Sequence, residues 1–149
     1  MRPYAWNKLN TRQVGKFAEY FVKMEFTLHG FDVFTPEVDD KGVDCVVRRR
    51  SGHYYDVQVK SVRGYNYVFM QKQHFEPGPS LLVALVLLLD AAEPELFLIP
   101  SLRWKQPDKL FADRDYHGKK SKPEWGISLS AANRPLLEPF RFDVAVEGL

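Results

Sequence analysis

Nine consecutive apolar residues, Leu81 to Leu89, set the hardest condition on how this chain folds. A membrane-spanning helix needs roughly 20 such residues. The run is too short for that and reads as the most deeply buried strand of a sheet. Its burial needs a sizeable core, and 149 residues supply one domain's worth of chain, since two domains of half that length would each be marginal. Hydrophobic residues make up 45% and charged residues 27%, which excludes a disordered or fibrous class.

Upstream of the run, Val14, Phe17, Ala18, Phe21, Val22 and Leu28 recur at three- and four-residue intervals and predict an amphipathic helix from about Thr11 to His29. Asn10 or Thr11 can cap its start, and Gly30 can end it in the left-handed conformation. A short strand, Phe31 to Phe34, precedes Pro36, and Asp39-Asp40-Lys41-Gly42 reads as a turn. Two alternating runs follow, Val43 to Arg48 and about Tyr54 to Ser61, joined by the hairpin-length Arg50-Ser51-Gly52. Period-two counting puts Val43, Cys45, Val47, Tyr55, Val57 and Val59 on one apolar face and Asp44, Asp56, Gln58 and Lys60 on the other. A three-residue loop centred on Ser51, with Gly52 at positive φ, sets Asp44 across from Gln58 and diagonal to Lys60.

Beyond the hairpin, strands are expected at Tyr65 to Met70, Glu95 to Ile99 and Trp125 to Leu129, with a short helix or turn capped by Ser101. The stretch from Pro107 to Glu124, rich in charge, proline and glycine, reads as an exposed excursion, and Asn133 to Phe140 as a brief helix interrupted by Pro135 and Pro139. The order of elements predicts a single α/β domain over residues 1–149. An N-terminal helix precedes a three-stranded antiparallel meander in a central mixed sheet, with a core at about 11–99 and an extension at about 100–149.

The polar hairpin face carries chemistry. Asp44, thirteen intervening residues and then Gln58-Val59-Lys60 place an acid, an amide oxygen and an ammonium group in one small volume. Phosphodiester hydrolysis needs such a set. A metal polarises the phosphate and activates water, while a lysine orients or deprotonates that water and offsets charge growing on phosphorus-bound oxygen. Helical geometry sets Glu19 at the edge of the apolar arc with Arg12, Lys16 and Lys23 around it on the outer side, an arrangement suited to phosphate.

Through Gly15-Lys16-Phe17-Ala18-Glu19, Gly42-Val43-Asp44 and Gln58-Val59-Lys60-Ser61, the sequence resembles the PD-(D/E)xK nuclease superfamily. Val43 stands where the family's name has proline. Gln58 stands where it has an acid, a form similar to methyl-directed restriction endonucleases and archaeal Holliday junction resolvases. The resemblance implies a restriction-endonuclease-like fold and a metal-dependent endonuclease acting on DNA. It implies that Asp44 binds Mg2+ (or Mn2+), that Gln58 and the Val59 carbonyl contribute oxygens, that Glu19 joins through water and that Lys60 is catalytic. The neutral Gln58 removes one negative charge from the site, so the alternative is a catalytically inactive module of the same fold that binds nucleic acid or a protein.

Arg48-Arg49-Arg50 at the hairpin tip and Lys119-Lys120-Ser121-Lys122 are candidate phosphate contacts, as is Ser61 beside the motif. Trp104, Tyr116 and Trp125 are candidates either for stacking on exposed bases or for packing at the core. The net charge, 21 − 19 = +2, leaves any nucleic-acid contact to local clusters. Cys45 is the only cysteine, which excludes a disulfide framework and a multi-thiolate zinc site and points to a reducing compartment. No signal-peptide pattern is present at the start of the sequence, so a cytoplasmic location is expected. Cutting of both DNA strands would favour a homodimer.

Overall fold

Residues 2–149 are described by a computed structural model. Helix α1 (Thr11–Leu28) begins at a capping box in which Asn10 Oδ1 accepts the Gln13 N–H and Gln13 Oε1 accepts the Asn10 N–H, both at 2.9 Å. Its Val14, Ala18, Val22 and Phe26 form the buried stripe, and Gly30, at φ 85°, ends the helix in the left-handed conformation that glycine adopts without strain. The chain then runs through β1 (Phe31–Phe34), β2 (Cys45–Arg49) and β3 (Tyr54–Arg63), an antiparallel meander. After β4 (Tyr67–Gln71) departs to another sheet, β5 (Leu81–Leu88) returns parallel to β3, and β6 (Glu95–Pro100) pairs antiparallel with β5. The resulting five-stranded mixed sheet has the order β1-β2-β3-β5-β6.

Strand β5 lacks alternation because both of its faces are covered. Leu82, Ala84, Val86 and Leu88 pack with α1 in one core, while Val83, Leu85 and Leu87 pack in a second core on the opposite face. The second core is closed by β7 (Phe111–Arg114) and β8 (Glu124–Ser128), which form a three-stranded antiparallel sheet in the order β4-β8-β7. A short helix α2 (Phe142–Ala145) lies at the far side of the first core, where Phe142 meets Phe26 edge to face at 4.9 Å. Among the described residues no helix is long and apolar enough to cross a membrane.

Three expectations are corrected, and one pair of alternatives is resolved. Residues 107–124 are not simply an exposed excursion: Leu110 and Phe111 are fully buried, and Asp108 Oδ1 accepts both of their N–H groups at 2.8 Å, turning the chain into β7. Ser101 caps no helix, because its buried hydroxyl bridges the N–H and C=O of Gly78. The hairpin register is centred on Ser51 as expected, but four residues, 50–53, separate the strands, and Arg50 rather than Gly52 takes the positive φ, at 53°. Gly52 is instead required by close approach, since a Cβ there would lie 2.9 Å from the Arg49 carbonyl oxygen. Lastly, Trp104 and Trp125 are buried in the second core, where Trp104 Nε1 donates to the Gly126 carbonyl at 2.8 Å, so neither is free to stack on a base.

Gly126 on β8 lies under the Tyr67 ring, and an added Cβ would land on that ring. Gly126→Ala is therefore expected to displace Tyr67 and strip buried Glu124 of the hydroxyl that hydrogen-bonds it, a loss of about 1–3 kcal/mol read as a lower urea midpoint.

Candidate active site

Three elements deliver three carboxylates to one place. Glu19 follows buried Ala18 on α1, so it stands at the edge of the helix that meets the sheet. Asp44 immediately precedes β2, where the chain leaves the ladder. Extending the Cys45↔Val57 register would put Asp44 opposite Gln58, but its N–H donates to the Val57 carbonyl at 2.9 Å, one residue short of that partner. Its Oδ2 then accepts the Val59 N–H at 2.7 Å, which fixes the carboxylate against β3. Asp39 comes from the loop before β2, which turns back at Gly42 with φ 74°, beside the Gln58 side chain. One carboxylate oxygen from each of Glu19, Asp39 and Asp44 lies within 4.8 Å of the others.

Sequence patterning missed Asp39. It belongs to no periodic element, and only the left-handed turn at Gly42 folds it back toward a residue five positions on. A carboxylate just ahead of a Gly-x-Asp was the available signal.

The electrostatics match the crowding. Burial raises the Asp44 carboxyl above its ordinary value, the Val59 N–H works against that, and the charges of Glu19 and Asp39 add to the rise. Burial lowers the Lys60 ammonium below its ordinary value, with the Asp44 charge opposing. Lys60 forms no ion pair among the described residues, so its ammonium is uncommitted. Gln58 and Lys60 share one wall of a groove of about 630 Å³, with Ser61 beyond them.

Of the cations expected near phosphate, Lys16 pairs with Glu19 at 3.0 Å, which raises the lysine above its ordinary value. Arg12 is exposed in the first turn of α1, and Lys23 is half-buried near Cys45. The hairpin arginines are not brought to this site. Arg48 donates to the Tyr54 hydroxyl at 2.6 Å and pairs with Asp32 at 3.5 Å, and Arg49 lies 4.7 Å over the Phe31 ring and donates to the Val146 carbonyl. Both are occupied in packing, and Arg50 alone of the three is exposed. Cys45 is fully buried with its thiol pushed up to about 12, which leaves it inert at neutral pH.

No protein-family model matches this chain, and no curated protein matches it. Solved structures do. Hjc, a Holliday junction resolvase from the archaeal hyperthermophile Archaeoglobus fulgidus, superposes with a TM-score of 0.57 at 15% identity, covering 90% of this chain and 95% of its own. A bacterial homing endonuclease superposes with a TM-score of 0.50 at 14% identity, covering 93% of this chain and 96% of its own. The fold is thus the restriction-endonuclease-like α/β fold of these nucleases, with the N-terminal helix and mixed sheet in the expected places.

Because the folded Asp44 carboxyl holds its proton more tightly than the unfolded one, stability in chelator should rise as pH falls through its raised value. Asp44→Asn keeps an acceptor for the Val59 N–H without the buried charge. It should be more stable than wild type near neutral pH and lack that part of the pH dependence, as read from urea midpoints across a pH series.

Proposed function

We propose that this chain is a divalent-metal-dependent endonuclease that hydrolyses phosphodiester bonds in DNA, with Gln58-Val59-Lys60 as the glutamine form of the nuclease tripeptide. The observation that carries the reading is the convergence of Glu19, Asp39 and Asp44 within 4.8 Å, with Asp44 near enough to Lys60 for their charges to act on each other. The resolvase and the endonuclease that share the fold add support.

The donor set suits a hard cation. Mg2+ takes oxygen ligands and favours carboxylates, and three of these held together, one of them raised by burial and by its neighbours' charges, are relieved by a bound divalent ion. Asp44, Asp39 and Glu19 would hold it, with the Gln58 amide oxygen and the Val59 carbonyl as neutral donors; Mn2+ would substitute. Asp39 returns the negative charge that Gln58 lacks, which favours a cutting enzyme over a module that only binds. When bound, the ion supplies Lewis-acid polarisation of the phosphate and a more acidic water.

The chain's own residues do the rest. The lowered pKa of Lys60 enlarges its amine fraction, the amine takes a proton from the attacking water, and the ammonium so formed donates to a phosphate oxygen and offsets the charge growing there. Arg12, Lys16, Lys23 and Ser61 contact the sugar–phosphate backbone on either side of the cut. Arg50 is free to reach a more distant phosphate from the hairpin tip. One such site cuts one strand, so cleavage of both strands takes two copies of the chain.

Supercoiled plasmid incubated with Mg2+ or Mn2+ should be nicked or linearised, chelator should stop it, and Lys60→Ala should slow it by about a hundredfold or more. Metal-dependent cutting at wild-type rate by Lys60→Ala overturns the assignment. In calorimetry the wild type should take up Mn2+, and Asp39→Ala should bind it measurably more weakly; equal binding would remove Asp39 from the ligand set.

A further inference from the structure

The nuclease reading leaves the second sheet unused, yet one face of it opens onto the groove that holds Lys60. On β4, Val68 and Met70 point into the second core, so Tyr67, Phe69 and Gln71 lie on the outer face. The register sets Ser128, Gly126 and Glu124 opposite them on β8, with Ala112 and Arg114 beyond on β7. Around Phe69 the neighbouring strands thus offer only Gly126 and Ala112. The tall side chain beside it is Tyr67, whose ring lies over Gly126, and Phe69 itself is 47% exposed.

Tyr67, by contrast, is held in place. Its hydroxyl donates to Glu124, and the Arg114 guanidinium lies 4.2 Å from its ring centre. The Tyr67 and Phe69 rings are nearly parallel, 17° apart in plane with centroids 6.2 Å apart, so Phe69 stands beside a ring whose position is fixed. Tyr65, 40% exposed, stands where the chain enters β4. Both Tyr67 and Phe69 line the groove of about 630 Å³ that Gln58 and Lys60 line from the other side.

We propose that Phe69, braced by the fixed Tyr67 ring beside it, is a stacking platform for an unpaired base of the strand whose phosphate meets Lys60. The preferred substrate therefore carries unpaired nucleotides beside the cut, as in single-stranded, gapped or flapped DNA. This deepens the nuclease reading and rests on it for the role of Lys60. A flat ring accepts the π-face of any base, and a ring already positioned loses little freedom when it does so. In continuous duplex the base faces are covered by their neighbours, so only a strand with unstacked bases can use the platform. The Lys60 side of the groove supplies the cation for the adjoining phosphate.

The test uses the full chain in chelator, so that binding is read without cutting. Anisotropy of a labelled oligothymidylate of about a dozen nucleotides should show Phe69→Ala weaker than wild type by about five- to a hundredfold. Phe69→Tyr should bind like wild type, and neither change should alter affinity for a blunt-ended continuous duplex. A 5-iodouracil oligonucleotide should photocrosslink within β4. With metal, wild type should cut a gapped duplex faster than a continuous one, and Phe69→Ala should erase the difference. Equal oligothymidylate affinity of wild type and Phe69→Ala, or a crosslink on another element, overturns the platform even if plasmid is cut. Stacking on Phe69 by a protein that cuts nothing with Mg2+ or Mn2+ sustains the platform and removes the nuclease reading instead.

Discussion

The burial of β5 on both faces is the constraint that the remaining architecture obeys. A strand of Leu, Val and Ala with no polar face must have a layer on each side, and the chain provides α1 on one and the second sheet on the other. Once β5 lies between them, its neighbour β3 is tied down by eight parallel pairings on one edge and by the meander on the other. The residues of the candidate site are borne by this held strand or by segments packed against it. Rigidity at β3 comes from the greasiness of β5.

Against that fixed strand the candidate site gathers like charges. Asp44 is anchored through the Val59 N–H, Glu19 is carried by a capped helix, and Asp39 rides a loop. Burying an acid beside two others, and a lysine near it, works against folding, and the raised Asp44 and lowered Lys60, each chiefly an effect of burial, are the signs of that cost. Sites that hold such opposed shifts are characteristic of places where protons or cations are handled.

Much of this was legible in the sequence, for identifiable reasons. Alternation over Val43–Val47 and Tyr55–Val59 separated an apolar from a polar face, and a loop centred on Ser51 then sufficed to place Asp44 beside β3. The step of Asp44 out of the ladder was not legible, since it depends on where the N–H finds its acceptor. Asp39 was invisible to periodicity because its position follows from one left-handed glycine. The strand at Phe111–Arg114 was obscured because it is short and followed by a polar loop, whereas Glu124–Ser128 falls within one residue of the strand expected at Trp125 to Leu129. Among the aromatics, Trp104 and Trp125 take the packing alternative, while the alternation of Tyr67 and Phe69 with Val68 and Met70 marks which rings face outward.

The shared wall also bears on how far the chain can be shortened. Residues 100–149 look at first like an appendage to a complete nuclease core, yet Trp104, Leu110, Phe111, Ile127 and Leu137 from that stretch cover Val83, Leu85 and Leu87. Removing it would bare one side of the most apolar strand in the molecule and invite edge-to-face association with other copies. The two halves therefore stand or melt as one cooperative unit, and a minimal version of this protein would have to be redesigned at β5 before it could be trimmed.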